Sequence, residues 1–267
     1  MNKTVSILGC GWLGKALAHQ LTDSGFTVKA SRTSVFIDEK LIPFTIKVSP
    51  AGIQGENITE FFRADTLIIS LTPGRTEEKN NEFILSVRQL IPFVKNIRQV
   101  IFISSTSVYP DINGEVSEEE IFLAEKGSGK TLTDSEQILM QANENTVVLR
   151  FGGLIGHDRL PGKFLSGKTN LKNGNAPVNL IHRDDACGVI KTIIEKNITG
   201  EIFNSCMNDH PLRKDFYTRA AQLSGLPVPE FDDNEVHKFK IVNSGKLQKI
   251  MGYRFIYNSP LDCLPGR

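Results

Sequence analysis

Short apolar runs alternate along the chain with segments in which apolar residues recur every three or four positions. The short runs predict strands at about Thr4–Leu8, Phe26–Ala30, Phe44–Val48, Thr66–Leu71, Val100–Ser104, Thr146–Phe151 and Glu201–Asn204. The wider spacing predicts helices at about Lys15–Ser24, Asn57–Phe62, Asn80–Lys95, Ser128–Asn143 and Asp184–Glu195. Because strands that alternate with helices form parallel sheets, we predict an α/β fold with a Rossmann-type, doubly wound sheet.

The pattern changes after residue 153. Residues 154–177 are rich in Gly, Lys and Asn and predict long loops, whereas Pro211–Leu223 predicts one helix and 252–257 a terminal strand. We therefore predict a large domain of residues 1–153, to which 176–205 return. Residues 154–175 and 206–267 are predicted to form a small C-terminal lobe.

Composition excludes several classes of protein. The 267 residues carry 31 basic and 30 acidic side chains, a net charge of +1, which argues against a nucleic-acid-binding surface. There is no run of eighteen apolar residues and no signal peptide, so no membrane association is expected. Four cysteines lie far apart without a C-x-x-C pair or a histidine cluster. They predict reduced thiols in a cytoplasmic protein with no metal site.

The first predicted strand runs directly into Gly9-Cys10-Gly11-Trp12-Leu13-Gly14, and a helix follows. A G-x-G-x-x-G between a strand and a helix is the dinucleotide-binding fingerprint. The first glycine permits a tight turn, the second admits the pyrophosphate, and the third lets the helix pack on the strand. The large domain is therefore predicted to bind NAD(P), and the small lobe to bind the substrate.

The end of the second strand indicates which dinucleotide is bound. An acidic residue at this place binds the ribose 2′-hydroxyl of NAD, whereas an arginine accommodates the 2′-phosphate of NADP. Ser31, Arg32 and Thr33 occur here, and no acid occurs before Asp38, so NADP is favoured over NAD. With the tips of later strands, the candidate cofactor-binding residues are Gly9, Gly11, Trp12, Leu13, Gly14, Ser31, Arg32, Thr33, Leu71, Thr72 and Ser104.

Three further stretches accompany the glycines: Ile103–Tyr109 (Ile-Ser-Ser-Thr-Ser-Val-Tyr), Val148–Gly156 and Asn179–Asp185. Together they resemble the extended short-chain dehydrogenase/reductase superfamily, the NAD(P)-dependent epimerase/dehydratase group. The resemblance covers residues 1 to about 205. It implies hydride transfer on a small-molecule substrate. It also implies a homodimer, because many relatives dimerise through the helices predicted here at 80–95 and 128–143.

The resemblance breaks at the catalytic residues. Typical members use a Tyr-x-x-x-Lys pair, whose positions fall here on Ser128 and Leu132, so both groups are missing. Lys130 lies about 200° around the helix from the expected lysine position and is predicted to face solvent. Ser105 matches the family's catalytic Ser/Thr, and either binds a substrate oxygen or caps the backbone. Tyr109 either lines the cleft or replaces the missing phenol, which makes Ser105 and Tyr109 the candidate catalytic residues.

Three other polar residues lie after the sixth predicted strand or at the start of the helix predicted at Asp184–Glu195: Arg159, His182 and Asp184. His182 is interpreted as anchoring the loop before a helix whose N-cap is Asp184, and Arg159 as holding an anionic substrate or lying in a solvated loop. Two functions remain open. One is an NADP-dependent oxidoreductase or epimerase-like enzyme that acts on a small carbonyl or alcohol. The other is a non-catalytic NADP(H)-binding sensor or regulatory protein.

Overall fold

A computed structural model describes residues 3–121, 123–232 and 238–264. The chain divides into two compact units, each built from several segments. Unit 1 consists of residues 1–108, 123–150 and 187–203, and unit 2 consists of residues 109–122, 151–186 and 204–267. Unit 2 contains both segments of the predicted small lobe, and it also contains residues 109–122 and 176–186, which were predicted to belong to the large domain.

Eight strands form one sheet, and four short strands form two separate pairs. The sheet contains β1 (Thr4–Leu8), β2 (Thr27–Arg32), β3 (Ile42–Ser49), β4 (Gly52–Gly55), β5 (Thr66–Ile69), β6 (Gln99–Ser105), β8 (Thr146–Phe151) and β11 (Ile202–Ser205). The pairs are β7 (Gly114–Val116) with β12 (Lys240–Val242), and β9 (Gly153–Ile155) with β10 (Leu180–His182).

In the described residues, eight α-helices connect or follow these strands. They are α1 (Trp12–Asp23), α2 (Ile58–Phe62), α3 (Glu77–Arg88), α4 (Ile91–Val94), α5 (Gly127–Ala142), α6 (Arg183–Lys196), α7 (Arg213–Leu223) and α8 (Gly245–Met251). Single 3-10 turns occur at Thr106–Val108, Pro161–Lys163 and Pro260–Cys263. Of the helices in the described residues, none combines the length and the apolarity needed to cross a membrane.

The order of the strands creates a switch point between β1 and β5. Across the sheet the order is β11-β8-β6-β5-β1-β2-β3-β4, so the chain leaves β1 in one direction to β2 and β3 and later in the other to β5 and β6. The pairs β1–β2, β1–β5, β2–β3 and β5–β6 are all parallel, whereas β3 and β4 run antiparallel. The predicted α/β, Rossmann-type fold is confirmed, and ligands of such sheets bind at the switch point.

The apolar runs are strands because they are buried on both faces. All four residues of β5 are buried, as are Val5 to Leu8 of β1. Burial therefore does not alternate from residue to residue along these strands. Helix α1 buries Leu13, Leu17 and Leu21, one residue per turn, against this sheet.

The structure corrects two predicted elements. The helix predicted at 80–95 is interrupted after Arg88 and resumes as α4, because Pro92 has no N–H to continue the hydrogen-bond ladder. The strand predicted at 252–257 does not exist. In that segment the N–H groups of Ile256 and Tyr257 donate to the carboxylate of Asp185 instead of a neighbouring strand. The sequence prediction also lacked α8, β4 and the four short strands of the two separate pairs, β7, β9, β10 and β12.

Candidate functional site

A cavity of about 530 Å³ opens in unit 1 at the carboxyl ends of β1, β2 and β5. Its size lies within the range of small-molecule and cofactor sites. It is lined by Gly9, Cys10, Gly11, Arg32, Thr33, Ser34, Val48, Ser70, Leu71, Thr72, Phe83 and Ser86. Six of the predicted cofactor-binding residues meet in this cavity at the switch point of the sheet: Gly9, Gly11, Arg32, Thr33, Leu71 and Thr72.

Each glycine of the loop has a different geometric reason to lack a side chain. Gly9 has a φ of +91°, and a Cβ there would lie 2.5 Å from the carbonyl oxygen of Ser70. A Cβ on Gly14 would lie 3.0 Å from the Gly9 oxygen and 3.4 Å from Ile7, where helix and strand pack closely. A Cβ on Gly11 would meet no atom within 4 Å. Only Gly11 thus leaves an open space above the backbone.

Helix α1 begins beside this open space. Its N-cap residue is Gly11, no side chain caps the helix, and its first turn contains no acidic residue. The positive end of the helix is therefore available to an anion. Leu13 is buried in the core and Trp12 is half-buried, and neither of these predicted cofactor-binding residues is among those that line the cavity.

The three predicted residues at the end of β2 differ in what they can reach. Ser31 is fully buried, and its hydroxyl lies 3.4 Å from the Ile7 oxygen and the Gly9 nitrogen. It stiffens the loop and does not line the cavity, so the predicted contact of its hydroxyl with a phosphate is not supported. Thr33 is exposed and does line the cavity.

The guanidinium of Arg32 is held in place at the cavity wall. Its Nε donates to the Cys10 carbonyl oxygen at 2.8 Å, and its Cζ lies 5.2 Å from the centre of the Phe36 ring. The first bond uses one of five N–H donors, so most of them remain for an anion. Burial raises the pKa of the Cys10 thiol, with Arg32 opposing the shift, which keeps this thiol protonated.

Asp38, the first acidic residue after β2, is engaged with α1. Its carboxylate lies 2.8 Å from His19 Nε2 and 4.0 Å from Lys15 Nζ. The His19 hydrogen bond lowers the pKa of Asp38, so this carboxylate is ionised and paired. It is not among the residues that line the cavity.

Ser105 ends β6 and is half-buried. Its Oγ accepts a hydrogen bond from the Ser107 N–H at 3.2 Å, which caps the following 3-10 turn. An accepted bond does not use the hydroxyl hydrogen, so Ser105 can also donate to a substrate oxygen. Both interpretations of this residue are compatible with its geometry.

The start of α5 carries neither member of the family's catalytic pair. Leu132 is buried in the core and Ser128 is half-buried. Lys130 is exposed and pairs with both oxygens of Asp134 at 2.9 Å, one helical turn away. The prediction that Lys130 faces solvent is therefore confirmed.

Ser104 belongs to a buried polar network in unit 1. Its hydroxyl donates to Glu136 Oε1 at 2.5 Å, and Arg150 Nη2 donates to Glu136 Oε2 at 2.6 Å. The side chains of Glu136 and Arg150 are each 4% exposed. Because the Ser104 hydroxyl is bound inside the protein, the structure does not favour its predicted contact with a cofactor.

Tyr109 lies in unit 2, and its side chain is almost completely buried. Its hydroxyl donates to Asn204 Oδ1 at 2.8 Å, and Asn204 in turn donates to the Asn243 carbonyl oxygen. A phenol buried in such a network does not present its proton to a substrate. The geometry therefore does not support Tyr109 as a substitute for the missing catalytic tyrosine.

Sequence reasoning missed a cluster of three side chains in unit 2. His157 Nε2 lies 2.7 Å from Asp184 Oδ1, and His182 Nδ1 lies 3.5 Å from Asp184 Oδ2. The three potential ligand atoms lie within 4.8 Å of one another. Helix α6 begins at Arg183, so Asp184 lies in its first turn and not at the predicted N-cap position. The sequence signal was only a His-x-Asp triplet, because His157 is 25 residues away.

Asp185, next to this cluster, is fully buried and holds the segment 253–257. It accepts hydrogen bonds from the Tyr253 hydroxyl and from the N–H groups of Ile256 and Tyr257. Burial raises the pKa of Asp185, and these three bonds oppose the shift. This carboxylate has a structural role.

No family model matches the chain. Protein YeeZ of Escherichia coli K12 is 33% identical to it over 270 residues, which cover 97% of this chain and 98% of YeeZ. MoeE5, solved with UDP-glucuronic acid and NAD, superposes with a TM-score of 0.81 at 16% identity over 98% of this chain and 97% of its own. UDP-glucuronic acid 4-epimerase of Bacillus cereus, solved with the same two ligands, gives 0.80 at 18% identity over 97% and 96%.

The two kinds of match support different statements. The structural matches share less than a quarter of their residues with this chain and confirm its fold. The sequence match extends over almost the whole of both chains. The chain therefore belongs to the family of protein YeeZ, and its fold is the one implied by its resemblance to the extended short-chain dehydrogenase/reductase superfamily.

Proposed function

We propose that the cavity of unit 1 binds a nicotinamide dinucleotide, and that the chain uses it as an NADP(H)-dependent oxidoreductase or epimerase-like enzyme in the cytoplasm. The observation that carries the proposal is the meeting of Gly11, the uncapped start of α1 and Arg32 in one cavity at the switch point. The structural relatives MoeE5 and UDP-glucuronic acid 4-epimerase were solved with NAD, which supports a dinucleotide of this class.

The residues present fit such a cofactor. The pyrophosphate would lie over Gly11, where no side chain intervenes, and against the N–H groups at the positive end of α1. Leu71 and Thr72 would line the path of the ribose and nicotinamide, because they follow β5 at the same edge of the sheet.

NADP(H) is preferred to NAD(H) in this proposal for two reasons. The guanidinium of Arg32 is oriented by Cys10 and Phe36 and presents several donors, which suits a 2′-phosphate. Asp38, the acid that could bind a 2′-hydroxyl, is instead paired with His19. The chain thus offers a cation and no available carboxylate at this position.

Nicotinamide supplies hydride transfer when it is bound, and the protein supplies orientation and polarisation. Ser105 is the residue proposed to donate a hydrogen bond to the oxygen of a small carbonyl or alcohol substrate, because its hydroxyl hydrogen is available. General acid–base catalysis contributes about 10²–10⁴-fold to a rate. An enzyme without the Tyr-x-x-x-Lys pair is therefore expected to turn over slowly.

A non-catalytic NADP(H)-binding sensor is the second candidate. It is favoured by the buried Leu132 at the lysine position and by the internal hydrogen bond of Tyr109. Oxidation of NADPH in the presence of aldehydes, ketones and nucleotide sugars distinguishes the two candidates. Turnover of any member of this panel supports the enzyme, and binding without turnover supports the sensor.

Calorimetric titration of the full chain with NADPH and with NADH tests the cofactor. The wild-type protein should bind NADPH more tightly. Arg32→Ala removes a charge-assisted hydrogen bond of roughly 1.5–3 kcal/mol, so NADPH affinity should fall about ten- to a hundredfold while NADH affinity is little changed. Arg63→Ala is the matched control, since Arg63 is an exposed arginine of unit 1 that pairs with Glu60. Equal affinities of the wild-type protein for both dinucleotides would refute the preference.

A further inference from the structure

The cluster of His157, His182 and Asp184 in unit 2 has the chemistry of a transition-metal site. Two imidazole nitrogens and one carboxylate are a ligand set that suits Zn²⁺, whereas Mg²⁺ and Ca²⁺ take oxygen ligands. Three protein ligands leave one position of a tetrahedral ion open to water or to another group.

The observed separations are those of a site that needs little movement to close on an ion. Zn–N and Zn–O bonds of about 2.0–2.1 Å place the ligand atoms of a tetrahedral ion roughly 3.3 Å apart. The separations from Asp184 to His157 and to His182, 2.7 Å and 3.5 Å, lie on either side of this value. All three atoms lie within 4.8 Å of one another, so shifts of about 1 Å bring them onto one ion.

His182 is the fixed member of the cluster. Its ring is 4.3 Å from the ring of Tyr257, and a Cβ on Gly156 would lie only 2.1 Å from its Nε2. The Asp184 N–H donates to His182 Nδ1, so this nitrogen carries its lone pair on the side of Asp184. At 3.3 Å this hydrogen bond is long and therefore weak, and an ion can replace it.

The other two ligands are accessible and adjustable. The side chains of His157 and Asp184 are 45% and 42% exposed, which gives an ion a route from solvent. His157 lies in the turn between Gly156 and Arg159, whose N–H and C=O groups bond to each other in both directions. The backbone of His157 has a φ of +53°, a conformation rare for residues other than Gly, Asn and Asp. The turn thus holds its imidazole toward the start of α6.

We propose that His157, His182 and Asp184 form a binding site for one Zn²⁺ ion, which links the turn at 156–159 to the first turn of α6 and keeps one coordination position open. This site lies in unit 2, and the proposal does not rest on the dinucleotide proposed for unit 1.

Titration of the metal-stripped full chain with ZnCl₂, followed by calorimetry, tests the proposal. One Zn²⁺ should bind per chain. His157→Asn, which keeps a residue tolerant of positive φ, and Asp184→Asn should each weaken binding at least tenfold. His19→Asn is the matched control, because His19 forms a similar pair with Asp38 without a second imidazole. It should leave zinc affinity unchanged.

The spectrum of Co²⁺ bound to the wild-type chain provides a measurement that needs no variant. Absorption bands of four-coordinate Co²⁺ with nitrogen ligands, removed by an equivalent of Zn²⁺, are expected. Bands of six-coordinate Co²⁺, a dissociation constant weaker than about 1 mM for Zn²⁺, or equal losses in His19→Asn and His157→Asn would each overturn the site.

Discussion

Replacing Gly11 by Val should abolish dinucleotide binding while leaving the protein folded. A Cβ at this position meets no atom within 4 Å, and the φ of −84° is accessible to any residue. The expected cost to folding is therefore about 1 kcal/mol, the difference between glycine and an apolar residue at an N-cap. The new methyl groups would occupy the open space above the loop backbone.

The loss of affinity follows from the hydrogen bonds that a phosphate could no longer make. Two bonds from backbone N–H groups to a charged oxygen are worth about 3–6 kcal/mol, which corresponds to roughly a 10²–10⁴-fold loss. Calorimetric titration with NADPH measures this loss, and thermal unfolding of the same sample measures the stability. Gly114→Val, in β7 of unit 2, is the control, because a Cβ there makes only ordinary contacts with Ile112.

Two results would contradict this reasoning. Unchanged NADPH affinity in a folded Gly11→Val protein would mean that the dinucleotide binds elsewhere. Equal losses of affinity in Gly11→Val and Gly114→Val would mean that the effect is not local to the loop. Gly9→Ala should behave differently from both, because its Cβ would lie 2.5 Å from the Ser70 oxygen and destabilise the fold itself.

Three other outcomes are expected. Arg150→Met leaves the buried Glu136 carboxylate unpaired and should cost about 3–5 kcal/mol, which lowers the thermal midpoint by roughly 10 °C; a change under about 1 kcal/mol would contradict the pairing. Once a substrate is known, Ser105→Ala should lower the steady-state turnover rate at least about tenfold, whereas Lys130→Ala should leave it unchanged. A large loss in Lys130→Ala with no loss in Ser105→Ala would show that Lys130 is catalytic. Burial lowers the pKa of His210 in the folded protein. Near and below the ordinary histidine pKa, the unfolded chain therefore binds more protons than the folded chain, and the free energy of unfolding should fall as the pH drops from about 7.5 to 5.5. His210→Asn should make this dependence shallower in thermal unfolding at a series of pH values, and an unchanged slope would exclude His210 as its source.

The main elements of the fold were predictable because they depend on local patterns. The bounds of β1 and β8 agree with their apolar runs, and the glycine loop was found by its spacing alone. The sequence also carried usable signals for α8, with Ser244 before it and Gly252, at a φ of +61°, after it.

The remaining features depend on contacts between distant residues. Residues 252–257 have the alternation of a strand, but the carboxylate of Asp185, 71 and 72 residues before Ile256 and Tyr257, accepts the N–H groups that a strand would offer to its neighbour. The hydroxyls of Ser31 and Ser104 occur at suitable positions in the sequence, yet both are turned into the protein by partners that no local pattern reveals. The three-residue cluster in unit 2 forms only because a turn and a helix start come together.

The position of Asp185 has a consequence for synthesis of the chain on the ribosome. Its carboxylate is buried, and three of its hydrogen bonds come from residues 253–257. Until that segment leaves the exit tunnel, the start of α6 holds an ionisable group without its native partners, and burying it in that state is costly. Unit 2 therefore acquires its final packing late in translation, and a nascent chain stalled before residue 253 should be far more sensitive to protease than one stalled after residue 257 has emerged.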